Sequence, residues 1–123
     1  MKKLFQGLLC ALLTFVISFG LIKLLSRPYA RQETQRIVLR QDLYAMRKAI
    51  DQYTSDQERQ PQSLNDLVNQ GYIREIPSDP VTTRQDWDVE FGEFKGMYGS
   101  DGIADIHSSS SEASIFGIPY NEF

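Results

Sequence analysis

Cysteine and histidine are nearly missing from this chain of 123 residues, which has one of each, Cys10 and His107. A single thiol excludes an internal disulfide, and one thiol with one imidazole falls short of a structural zinc set, so the sequence argues against zinc. Charge is missing from residues 4–22, LFQGLLCALLTFVISFGLI, where Gln6, Thr14 and Ser18 are the only polar side chains. Glycine and proline are missing from residues 29–60, so nothing in that stretch interrupts a helix. Basic residues thin out towards the C-terminus. Residues 1–54 hold nine Lys/Arg against three Asp/Glu, whereas residues 55–123 hold four against thirteen. The second half therefore has no basic stripe, which argues against a nucleic-acid partner.

The uncharged stretch is about the length that crosses a bilayer as a helix. A removable signal peptide has a shorter apolar region ending at a small-residue cleavage site. Ser18-Phe19-Gly20 is the nearest match to such a site, and the apolar run continues past it into Leu21-Ile22. Gly7-Leu8-Leu9-Cys10 is the corresponding match to a lipid-attachment site. Length favours a retained anchor. Lys2 and Lys3 precede the span, while Lys23, Arg27, Arg31, Arg36 and Arg40 follow it, offset by Glu33. Counting basic residues alone places the C-terminal side in the cytoplasm.

In residues 31–56, Leu39, Leu43, Met46, Ile50 and Tyr53 recur at spacings of four and three, one face of an α-helix. That face is the predicted core seam, with Arg40, Asp42, Arg47, Lys48 and Asp51 turned to water. Ile37 and Val38, above the seam, are predicted to make contacts between subunits. A helix from about Leu4 to Ser55 would be roughly 75–80 Å long at 1.5 Å per residue, with a kink at Pro28. Pro61 forbids its continuation. Ser63-Leu64-Asn65-Asp66 reads as the capping box of a short helix closed by Gly71, and Pro77-Ser78-Asp79-Pro80 as a turn. Trp87-Asp88-Val89-Glu90-Phe91 alternates like a half-buried strand, and Ile103–His107 is a second candidate strand. Trp87 is predicted to be core.

The fold class is thus α+β, with a long transmembrane and amphipathic helix packed on a small antiparallel sheet. Residues 1–30 form the leader and span, and residues 31–123 the soluble head. A catalytic reading finds little support. His107 beside Ser108–Ser111 lacks a nucleophile elbow or an oxyanion loop, and adjacent strand residues point to opposite faces. Asp101 and Asp105 read as solvated surface. The chain is expected not to be an enzyme.

From Asp42 to Trp87 the sequence resembles the G-type (major) pseudopilins of type II secretion, a branch of the type IV pilin-like proteins. The residues that carry the likeness are Asp42-Leu43, Arg47-Lys48-Ala49-Ile50-Asp51-Gln52-Tyr53, Pro61-Gln62-Ser63-Leu64, Asp66-Leu67-Val68, Gly71-Tyr72, Pro77, Asp79-Pro80 and Trp87. Asp105-Ile106-His107-Ser108 and Gly117-Ile118-Pro119-Tyr120 follow in the family's order. The resemblance implies a pilin-like fold and a leader ending at Gly7, with cleavage before Leu8 by a prepilin peptidase and methylation of the new N-terminus. It also implies assembly through a helix bearing Gly20 and Pro28. The head would lie in the periplasm of a bacterial inner-membrane protein. The partners would be other pseudopilin subunits and an inner-membrane secretion platform, and the product a structural filament. The family's glutamate, the fifth mature residue, has no counterpart; Ala11 or Leu12 stands there. That departure leaves a second reading open, a non-polymerising anchored adaptor with a pilin-like head. The family also implies calcium in the C-terminal loop. Glu112 and Asn121 are the candidate ligands, while Phe116 falls on a position where a carboxylate is expected.

Overall fold

The computed structural model describes residues 1–93 and 101–123, without the side chains of residues 25–29; Pro28 and its expected kink lie outside the described residues. Helix α1 runs Lys2–Gln57 and helix α2 runs Leu64–Asn69. Strands β1 (Asp88–Gly92) and β2 (Gly102–His107) follow, and then a single 3-10 turn at Tyr120–Glu122. The chain divides into two compact units, Met1–Glu33 and Thr34–Phe123. The architecture is mixed α+β, a long N-terminal helix with an apolar first half and a two-stranded antiparallel sheet.

In the first unit the window Lys2–Leu24 is long and apolar enough to cross a membrane, and none of it is buried. Within it the Thr14 hydroxyl donates to the Ala11 carbonyl at 2.9 Å. Phe15 and Phe19 stack one turn apart, and the Lys23 ammonium lies 4.9 Å from the Phe19 ring centroid.

The second unit is built on the predicted seam. Leu39, Leu43, Met46, Ile50 and Tyr53 are all buried, and they meet Leu67, Trp87, Ile103, Ile106 and Tyr120 in one cluster. Each such side chain contributes about 1.5–3 kcal/mol by leaving water. The Trp87 indole N–H donates to the Pro77 carbonyl at 2.8 Å, so its polar edge is satisfied inside the core. The Tyr53 and Tyr72 rings meet edge to face at 5.4 Å. At the start of α2, the Asp66 carboxylate accepts the N–H groups of Gln62 and Ser63 at 2.8 and 3.0 Å. Gly71 supplies the left-handed residue that closes this helix, at φ 78°.

Two expectations shift. The turn near Pro80 starts at Asp79 rather than Pro77. The Asp79 carboxylate accepts the Val81 N–H at 2.7 Å, and the Asp79 carbonyl accepts that of Thr83 at 2.7 Å. The strand alternation fails at Phe91, which is 60 % exposed. The ladder pairs Glu90 with Asp105 but Phe91 with Ile103, passing over Ala104 as a bulge. Ile103 and Ile106 are three apart, a spacing that sends regular-strand residues to opposite faces, and the extra residue lets both reach the core.

A segment from the interhelix loop lies along the start of β2. Ile103 N–H donates to the Pro61 carbonyl at 2.8 Å, Gly102 N–H to Gln60 Oε1 at 3.0 Å, and Gln62 Nε2 to the Asp101 carbonyl at 2.7 Å. The fit is tight. A Cβ on Gly102 would stand 2.7 Å from the Pro61 carbonyl oxygen.

Candidate functional site

Two features stand out, one in each unit. The first is the bare apolar surface of Lys2–Leu24. Leu8, at the expected cleavage point, is exposed, and a side chain at Gly7 or Gly20 would meet nothing within 4 Å. Cys10 is a free, exposed thiol on the same helix. Ile37 and Val38, in the second unit, are also exposed.

The second feature is centred on Arg47. The helical period alone turned this residue to water, but its side chain is half-buried and reaches across to β2 and the tail. Its Nε donates to Asp105 Oδ1 at 2.6 Å. Its Nη2 donates to the Ile106 carbonyl at 2.9 Å and to the Phe123 backbone oxygen at 3.0 Å, and lies 3.4 Å from His107 Nδ1. One guanidinium thus ties the helix, the hairpin and the last turn together. Burial pushes the Asp105 carboxyl up, but the Ile106 N–H, the Arg47 bond and charge, and His107 outweigh it, so the group sits below its ordinary 3.8.

On the outer face of the hairpin, Glu90, Asp105 and His107 come together, with one donor atom from each inside a span of 4.8 Å. The ladder explains the grouping. Glu90 sits opposite Asp105, and Asp105 and His107 are two apart on one face of β2. Sequence reasoning missed this trio, since the period of two groups Asp105 with His107 but only the strand register adds Glu90. No family model, curated protein or solved structure matches the chain. The site must therefore be read from its own geometry.

The tail residues expected to hold calcium are arranged differently. Glu112 is engaged through its backbone, its N–H to Ser110 Oγ at 3.2 Å and its carbonyl from the Tyr120 N–H at 3.0 Å. Asn121 is exposed on the 3-10 turn. Phe116 stands where a further carboxylate was expected, and the Arg36 guanidinium lies 5.0 Å from its ring centroid. A calcium ion takes six to eight oxygens, and among the described residues the acidic and histidine group close enough to hold an ion is on the hairpin and does not include Glu112. The Arg40 guanidinium similarly sits 5.2 Å from the Phe123 ring centroid. Arg36, Arg40 and Arg47 thus engage the tail from one flank of α1.

Beside His107, Ser108 and Ser110 are bonded within the fold. Ser108 is fully buried, donates its hydroxyl proton to Asp79 Oδ2 and accepts the Ser110 N–H at 3.2 Å. Asp79, also fully buried, anchors the 79–84 loop, and just beyond it Asp86 is held below its ordinary 3.8 chiefly by the Thr82 hydroxyl. Asp42 is pushed above 3.8 by burial first and by the charge of Asp79 second.

Proposed function

We propose that the chain is a non-catalytic structural subunit of a type II secretion pseudopilus or a related type IV pilin-like filament. In this reading it is anchored once in a bacterial inner membrane, holds its head in the periplasm, and assembles through the N-terminal half of α1. The observation that carries the reading lies within a single helix. Residues 2–24 leave their apolar surface uncovered, while Leu39 to Tyr53 of the same helix form the core of a small α+β unit. An apolar helix with no intramolecular cover is stabilised by lipid or by other helices, and in lipid such helices associate through close packing. The resemblance from Asp42 to Trp87 adds the family, its partner subunits, the secretion platform and the prepilin peptidase.

Amine-directed cross-linking of the full chain in native membranes tests this reading. A ladder at multiples of the mature subunit mass, the 14.1 kDa of the full chain less residues 1–7, is expected, together with a mature N-terminus at Leu8. Only monomers across a range of expression levels would sink it. The second reading, an anchored adaptor, is favoured by the apolar Ala11-Leu12 where the family's carboxylate would stand. It expects an uncut Met1 and discrete complexes with another protein instead of a ladder.

A further inference from the structure

The hairpin trio is joined by long ion-pair contacts and by no hydrogen bond between His107 and either carboxylate. His107 Nε2 lies 3.5 Å from Asp105 Oδ2 and 3.8 Å from Glu90 Oε2. Both separations exceed the roughly 2.7–3.2 Å of an N–H···O hydrogen bond. One ligand atom of each residue lies within 4.8 Å of the other two. Donors placed about 2.0–2.2 Å from a zinc-sized ion stand about 3.0–3.5 Å apart, so small side-chain rotations suffice to close this set around one.

We propose that Glu90, Asp105 and His107 bind a divalent transition-metal ion of the zinc class, with water completing its coordination. An imidazole nitrogen beside two carboxylate oxygens suits zinc, nickel or copper better than calcium, which selects oxygen alone. The lone histidine argued against zinc only while the carboxylates were not known to be neighbours. Asp105 is already oriented. Its Oδ1 accepts from Arg47 and from the Ile106 N–H at 2.6 and 2.7 Å, which leaves Oδ2 on the His107 side, 3.5 Å from Nε2. Arg47 Nη2 donates to the Ile106 and Phe123 oxygens and also lies 3.4 Å from His107 Nδ1, on the side of the ring away from the two carboxylate contacts of Nε2. A shallow depression lined by Asp88, Val89, Glu90 and His107 opens beside two of the three ligands. The Arg47 charge beside Asp105 opposes the ion and lowers its affinity. The site stands whether or not the chain polymerises.

The test uses the full chain in detergent micelles, stripped of metal with a chelator and titrated calorimetrically with zinc chloride and, separately, calcium chloride. One zinc per chain is expected, bound at least ten-fold more tightly than calcium, with a rise of several degrees in the Trp87-monitored melting temperature. Glu90→Gln, at a side chain 70 % exposed, keeps the fold and should weaken zinc binding at least ten-fold. His107→Ala should do the same. Equal zinc affinity in Glu90→Gln and the parent chain, tighter binding of calcium, or no zinc binding would each overturn the assignment.

Discussion

Replacing Gly102 by alanine probes the strip formed by residues 60–62 against β2. The added Cβ would lie 2.7 Å from the Pro61 carbonyl oxygen and from Gln60 Cβ, and 3.0 Å from the Gln60 carbonyl carbon. Relaxed carbon–carbon contacts lie at about 3.5–4.0 Å, so the strip must retreat by roughly 0.5–1 Å. Two of those neighbours are backbone atoms, which cannot swing aside as a side chain does. The retreat breaks the 2.8 Å bond from Ile103 N–H to Pro61. Overpacking costs about 1–3 kcal/mol, and the lost hydrogen bond about 0.5–1.5 kcal/mol. Stiffening the unfolded chain returns about 0.4–1 kcal/mol. The net expectation is a loss of about 0.5–4 kcal/mol, centred near 2. Gly102 is not in the left-handed region, so the loss is steric. Denaturant unfolding of the full chain in micelles, followed by emission of the buried Trp87, measures it. Gly117→Ala is the contrast, with open space around its Cβ but a φ of 74°, and should lose about 1–2 kcal/mol from strain alone. A Gly102→Ala change within about 0.5 kcal/mol, the range of ordinary surface substitutions, would refute the pinned strip.

Leu43→Ala removes a fully buried side chain from the centre of the seam and should cost about 2–5 kcal/mol in the same unfolding assay. Asp42→Asn should stabilise the head near pH 7 by about 0.2–1 kcal/mol, since burial and Asp79 penalise the ionised carboxylate. Because the folded-state value lies above 3.8, the parent chain is relieved of this penalty as pH falls through that value, and the two chains should converge in acid. Thr83, a β-branched residue at φ 61°, is strained, and Thr83→Gly should raise stability by about 0.5–1 kcal/mol, read as a higher denaturant midpoint.

The features legible in the sequence were those set by short-range periodicity. The spacing from Leu39 to Tyr53 encodes one helical face, and Ser63 to Gly71 encodes a capped turn of helix. Trp87 announced itself as core by size. What escaped depended on pairing between distant segments. Arg47 looks like a surface residue on a helical wheel, and only the position of β2 turns it inward. The Glu90–Asp105–His107 trio needs the strand register, which itself depends on the bulge at Ala104. Phe91 was assigned inward by a period of two that the bulge interrupts. The packing of Gln60 to Gln62 along β2 leaves no trace in composition, since the constraint falls on a glycine forty residues away.

The passed-over Ala104 also bears on solubility at high concentration. A two-stranded hairpin carrying an exposed Phe91 offers backbone groups that a second chain could zip against. The irregular step between Glu90 and Phe91 disrupts the even spacing that such a template needs and coils the hairpin more strongly. The same insertion that admits two isoleucines to the interior therefore guards this hairpin against amyloid-like stacking.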